Sequence, residues 1–69
     1  MSNWNQPYSI NYWKNTKTGD EVRIKKVDNL YIAYVNKHSE MFKSYNISKR
    51  PQSLRNATAD ARNYIKKYP

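Results

Sequence analysis

The stretch Glu21-Val22-Arg23-Ile24-Lys25-Lys26-Val27-Asp28-Asn29-Leu30-Tyr31-Ile32-Ala33-Tyr34-Val35-Asn36 decides the fold. Val22 and Ile24 alternate with Arg23 and Lys25, which is the period of a strand with one apolar side. Asp28-Asn29 separates this run from a second one over residues 30–36, and both turn residues tolerate the left-handed conformations of a two-residue hairpin loop. Such a loop sets Val27 opposite Leu30, Lys25 opposite Ile32, Ile24 opposite Ala33, Arg23 opposite Tyr34 and Val22 opposite Val35. The hairpin is thereby sorted into two faces. One holds Val22, Ile24, Tyr31, Ala33 and Val35 with Lys26; the other holds Arg23, Lys25 and Tyr34 with Val27, Leu30 and Ile32. A slip of one residue would exchange the faces on one strand.

Upstream, Tyr8, Ile10 and Tyr12 alternate with Ser9, Asn11 and Trp13, predicting a further strand from Tyr8. The loop over residues 15–20 contains the chain's only glycine, Gly19, which can take positive φ at the end of a type I turn with a following bulge. Residues 1–7 have no period and read as a flexible arm that carries Trp4. Downstream, residues 36–40 form a polar loop and residues 41–47 a weaker strand, with Phe42 directed opposite to Lys43 and Tyr45. After Lys49-Arg50-Pro51, Ser53 is suited to cap a helix. Leu54, Ala57, Ala61, Tyr64, Ile65 and Tyr68 then occupy a helical arc of about 100°. Lys66 and Lys67 stand where the helix dipole favours cations. The expected fold class is α+β: one domain over residues 8–69, a three- to four-stranded antiparallel sheet packed by one C-terminal helix. The alternative is an SH3-like small barrel with a terminal helix.

Composition narrows the function. Sixty-nine residues sit near the size limit at which burial outweighs chain entropy. With no cysteine and one histidine, neither disulfides nor a thiolate or histidine metal site can help. Ten aromatics against one glycine and three prolines argue for order. No apolar run approaches the ~20 residues of a membrane span, and residues 1–5 lack a secretory start, so a cytoplasmic protein is expected. The net charge is +8, spread through the folded segments, and a folded basic surface concentrates polyanions around itself.

Catalytic equipment is thin. His38 lies in the polar loop beside Lys37 and Glu40, while Asp20, Glu21 and Asp28 border turns. Asp60 falls on the helix away from its apolar stripe. One glycine cannot build a phosphate-binding loop. No enzyme, cofactor or small-molecule substrate is therefore expected. What remains is basic residues among aromatics, which neutralise phosphates and stack on bases. On the open sheet face these are Arg23, Lys25 and Tyr34, extended by Lys43 and Tyr45 from the last strand. On the helix, Arg55, Arg62 and Lys66 line up within about 40° as a basic ridge. Lys37, with Lys49 and Arg50, would bridge the two.

The order strand, tight turn, strand, loop, strand and helix, with the small-residue run Ala57-Thr58-Ala59-Asp60-Ala61-Arg62, resembles the arm-type N-terminal DNA-binding domains of phage and transposon integrases, and more distantly AP2-type domains. The resemblance covers the last two thirds of the chain and rests on element order and texture. It implies a sheet that reads the DNA major groove through Arg23, Lys25, Tyr34 and Lys43, with Ala57 and Ala61 packing the helix on the sheet. It also implies a small phage or mobile-element protein. The helix entry departs from that family, with Ile47-Ser48-Lys49-Arg50-Pro51 in its place. The expected function is a small nucleic-acid-binding module, DNA favoured over RNA, working as a monomer or weak dimer. The alternative is a protein-interaction or inhibitor module that recognises an acidic partner. A third reading is self-association through an exposed strand edge or through the apolar part of the open face at Val27, Leu30 and Ile32.

Overall fold

A computed structural model describes residues 3–6 and 11–69. Among the described residues, five antiparallel strands form one open sheet in sequence order: β1 (Trp4–Asn5), β2 (Tyr12–Asn15), β3 (Glu21–Val27), β4 (Leu30–Lys37) and β5 (Lys43–Asn46). One helix, α1 (Leu54–Lys67), covers one face. The chain is thus the expected α+β sheet with a C-terminal helix, one strand larger than expected, and the sheet does not close into a barrel.

The β3–β4 pairing follows the register set by the two-residue loop, from Val27 opposite Leu30 to Glu21 opposite Asn36. Asp28 supplies the left-handed residue, with φ 56°. Val22, Ala33 and Val35 point inward and, with Trp4, Trp13 and Ala61, form the core; Ile24, Ile47, Tyr64 and Ile65 pack around it. Ala57 and Ala61 are fully buried, so the helix lies close on the sheet. Ser53 caps it by accepting from the Asn56 N–H at 3.2 Å.

Two features differ from the sequence reading. Trp4 and Asn5 belong to a strand rather than an arm, pairing with Asn15 and Lys14. The Trp4 indole is buried against Tyr64, with centroids 6.4 Å apart, and its N–H donates to the Tyr68 carbonyl at 2.7 Å. The alternation around Tyr12 is also inverted, since Trp13 turns into the core while Tyr12 lies opposite Arg23 on the open face. The strand start expected at Tyr8 lies outside the described residues.

Polar side chains hold the connections. Asn15 Oδ1 accepts from the N–H groups of Lys17 and Thr18, and Gly19 closes that loop at φ 82°, where a Cβ would stand 3.1 Å from the His38 ring. Asp20 is buried and accepts from the His38 N–H at 2.8 Å and the Lys37 ammonium at 3.2 Å. Ser48 accepts from the Ala33 N–H and donates to Asp60 at 3.0 Å; Gln52 donates to both Ser48 and Asp60. Asp60 therefore faces the sheet flank rather than solvent alone. After the short 3-10 turn His38–Glu40, both Met41 (φ 58°) and Phe42 (φ 62°) are left-handed, a costly conformation for bulky side chains.

Two stability outcomes follow. Gly19→Ala should lower unfolding free energy by roughly 1–2 kcal/mol, since an L-residue there is both left-handed and crowded. Met41→Asn should raise it by roughly 0.5 kcal/mol, because Asn tolerates this region and the Met41 side chain, 92% exposed, contributes little packing. Urea denaturation of the two variants checks both signs.

Candidate nucleic-acid interface

Register alone assembles the open face. Tyr12 lies opposite Arg23, Arg23 opposite Tyr34 and Tyr34 opposite Asn46, so one rung crosses β2 to β5. Neighbouring strands are about 4.8 Å apart, which puts the two tyrosines of the rung about 10 Å apart with the guanidinium between them. On one side of the rung stand Lys14, Glu21, Asn36 and Ser44; on the other, Lys25 pairs with Ile32 and Val27 with Leu30. The face thus grades from polar through cationic-aromatic to apolar at the hairpin tip.

Arg23 stands over the Tyr12 ring, 4.6 Å from its centroid, and Lys25 over the Tyr34 ring at 5.4 Å. Cation–π contacts of exposed groups contribute about 0.5–1 kcal/mol, and they hold long side chains in place without consuming their charge. Glu21 is the single carboxylate on this face, 3.4 Å from the Arg23 guanidinium and accepting from the Tyr12 hydroxyl. The Tyr12 hydrogen bond, helped by Arg23 and opposed by burial, holds the Glu21 carboxyl below its usual range. The same bond raises the Tyr12 phenol.

The residues expected to form the site divide into three groups. Arg23, Lys25 and Tyr34 stand together on the open face, as expected. Lys43 and Tyr45 do not join them. They pair with Lys37 and Val35, residues of the helix-covered face, because the β4–β5 connection ends on two left-handed residues and brings Lys43 opposite Lys37. Tyr45 donates to Glu40 at 2.6 Å, and Lys43 sits over its ring at 5.5 Å. Lys37 is half-buried and tied to Asp20, so it is a structural cation rather than a bridge. Burial pushes its ammonium down, but hydrogen bonds and charge from Asp20 and Tyr64 outweigh that and leave it raised. Arg55, Arg62 and Lys66 are exposed on the helix, separate from the sheet face. Tyr12, Lys14 and Glu21 were missed as site residues. Pairing outward from the Gly19 loop would have placed them beside Arg23.

A groove of ≈ 530 Å³ lies between β5 and the C-terminal half of α1. Of its charged groups, Lys37, Glu40 and Asp60 are engaged with Asp20, Tyr45 and the Ser48–Gln52 pair, and Lys67 stands over the Tyr68 ring at 5.6 Å. His38 packs edge-on against Phe42, 4.7 Å between centroids. Among the described residues no three His, Cys, Asp or Glu side chains cluster as metal ligands, and no helix is long and apolar enough to cross a membrane. Ile32 is buried, so the apolar end of the open face is smaller than expected. No protein family, curated protein or solved structure matches the chain.

Because the folded carboxyl of Glu21 lies below its unfolded value, the stability it contributes is present above about pH 4.3 and disappears as pH falls through the folded value. Urea midpoints measured at neutral pH and near pH 3 should differ less for Glu21→Gln than for the parent chain. An equal difference in both would show that Glu21 is not held as described.

Proposed function

We propose that this chain is a small nucleic-acid-binding module, with DNA the favoured partner, that contacts phosphates through the open face of its sheet. The observation that carries the reading is the Tyr12–Arg23–Tyr34 rung with Lys14 and Lys25 at its sides. It presents three cations and two aromatic rings against one carboxylate. The cations can neutralise phosphates, and the phenols can donate to phosphate oxygens or stack on bases. The net charge of +8 adds long-range attraction.

Shape agrees with charge. B-DNA's major groove admits a two-stranded ribbon. Among the described residues the β3–β4 hairpin runs past β2 and β5 as such a ribbon, from the Ile24–Ala33 pair to the Val27–Leu30 pair, with the helix on the far side. The element order resembles that of integrase arm-type domains, which would fit a cytoplasmic, mobile-element protein. Glu21 plays a restraining part here. Its carboxylate orients Arg23 but competes with phosphate for it, which tempers non-specific affinity.

The test is a titration of fluorescently labelled duplex, followed by anisotropy at several salt concentrations. Three open-face cations predict log K falling against log salt with a slope between about −2 and −3. Arg23→Glu with Lys25→Glu should weaken binding at least tenfold or so while circular dichroism stays unchanged. Lys43→Glu, on the other side, should change affinity less than about threefold, and Glu21→Gln should strengthen it about two- to threefold. Unchanged affinity in a folded Arg23/Lys25 variant overturns the reading.

A further inference from the structure

The helix carries a second cationic surface that the sheet face does not share. At about 100° per residue, Arg55, Arg62 and Lys66 lie about 140° around α1 from the buried Ala57 and Ala61, so they face away from the sheet. Arg55 and Arg62 line, with Thr58 and Ala59, a shallow depression of ≈ 340 Å³. Neither arginine makes an ion pair or a hydrogen bond among the described residues. The helix has one carboxylate, Asp60, and it is turned to Ser48 and Gln52 on the opposite flank. Two guanidiniums without an ion pair or hydrogen bond among the described residues, on a shallow depression lined also by Thr58 and Ala59, suit a phosphate by charge and by their forked donors.

The two cationic surfaces are held apart by the body of the domain, whose extents are 33 × 25 × 22 Å. Bending a duplex by about 40–90° within a site of about 20–30 base pairs already carries an elastic cost. Carrying one duplex from one side of so small a body to the opposite side therefore costs more than seating a separate straight duplex on each face. We infer that the protein bridges two nucleic-acid duplexes, one on the open sheet face and a second, more weakly held, on the Arg55–Arg62 face of the helix. This inference rests on the proposed function for its first duplex, and its second site is independent of that face.

The experiment mixes donor-labelled and acceptor-labelled duplexes of about 15 base pairs, titrates the full chain, and records anisotropy and energy transfer together. The expected transfer rises to a maximum near one protein per two duplexes and falls again in excess protein, as each duplex takes its own copy. Arg55→Glu with Arg62→Glu should remove the transfer while the anisotropy isotherm shifts by less than about threefold. Saturable anisotropy without transfer at any ratio overturns bridging and leaves the proposed function standing. Transfer that survives the Arg55/Arg62 reversal also overturns it, since the second duplex would then be held elsewhere. An absence of binding at low salt overturns both.

Discussion

The register of the β3–β4 hairpin is the constraint on which the rest depends. Asp28 and Asn29 close it with two residues, and that choice fixes every pair out to Glu21 and Asn36. Val22, Ala33 and Val35 are thereby sent into the core while Arg23, Lys25 and Tyr34 are sent outward. Core and cationic face are two consequences of one alternation, so neither can be shifted without the other. A one-residue slip would bury Arg23 and Lys25 beneath the helix, with the heavy cost of unpaired buried charge.

So small a domain needs more than this core. Its buried apolar set includes two tryptophans, and one of them is supplied by a two-residue strand at the sheet edge. Trp4 links that edge to the end of the helix through Tyr68 and Tyr64, joining residues far apart in sequence. Asn15, Asp20 and the Ser48–Gln52–Asp60 group satisfy buried polar atoms at the turns and helix flank, and no buried side-chain polar atom among the described residues lacks a partner. Such satisfied groups specify loop geometry, because leaving one unpaired would cost about 1–3 kcal/mol.

What could be read from the chain was whatever had a period or a strict turn rule. The hairpin register, the role of Gly19, the Ser53 cap and the apolar stripe of α1 are local patterns, and each stands in the structure. Long-range pairing was not legible. Nothing near Lys37 in sequence announces its ion pair with Asp20, 3.2 Å away, and nothing near Trp4 announces Tyr68. The side taken by Lys43 and Tyr45 depended on Met41 and Phe42 both turning left-handed, which their residue types disfavour. Tyr12 and Glu21 escaped notice as site residues because the alternation around Tyr12 is ambiguous until Trp13 is known to be the buried member.

The burial of both indoles makes side-chain resonances the direct probe of the proposal that the open face meets nucleic acid. Titrating a short DNA duplex into isotope-labelled protein, the account predicts that the Arg23 Nε–H and the Tyr12 and Tyr34 ring protons shift, while the indole N–H signals of Trp4 and Trp13 hold still. Movement of the indole signals with the Arg23 and tyrosine resonances unchanged would contradict it.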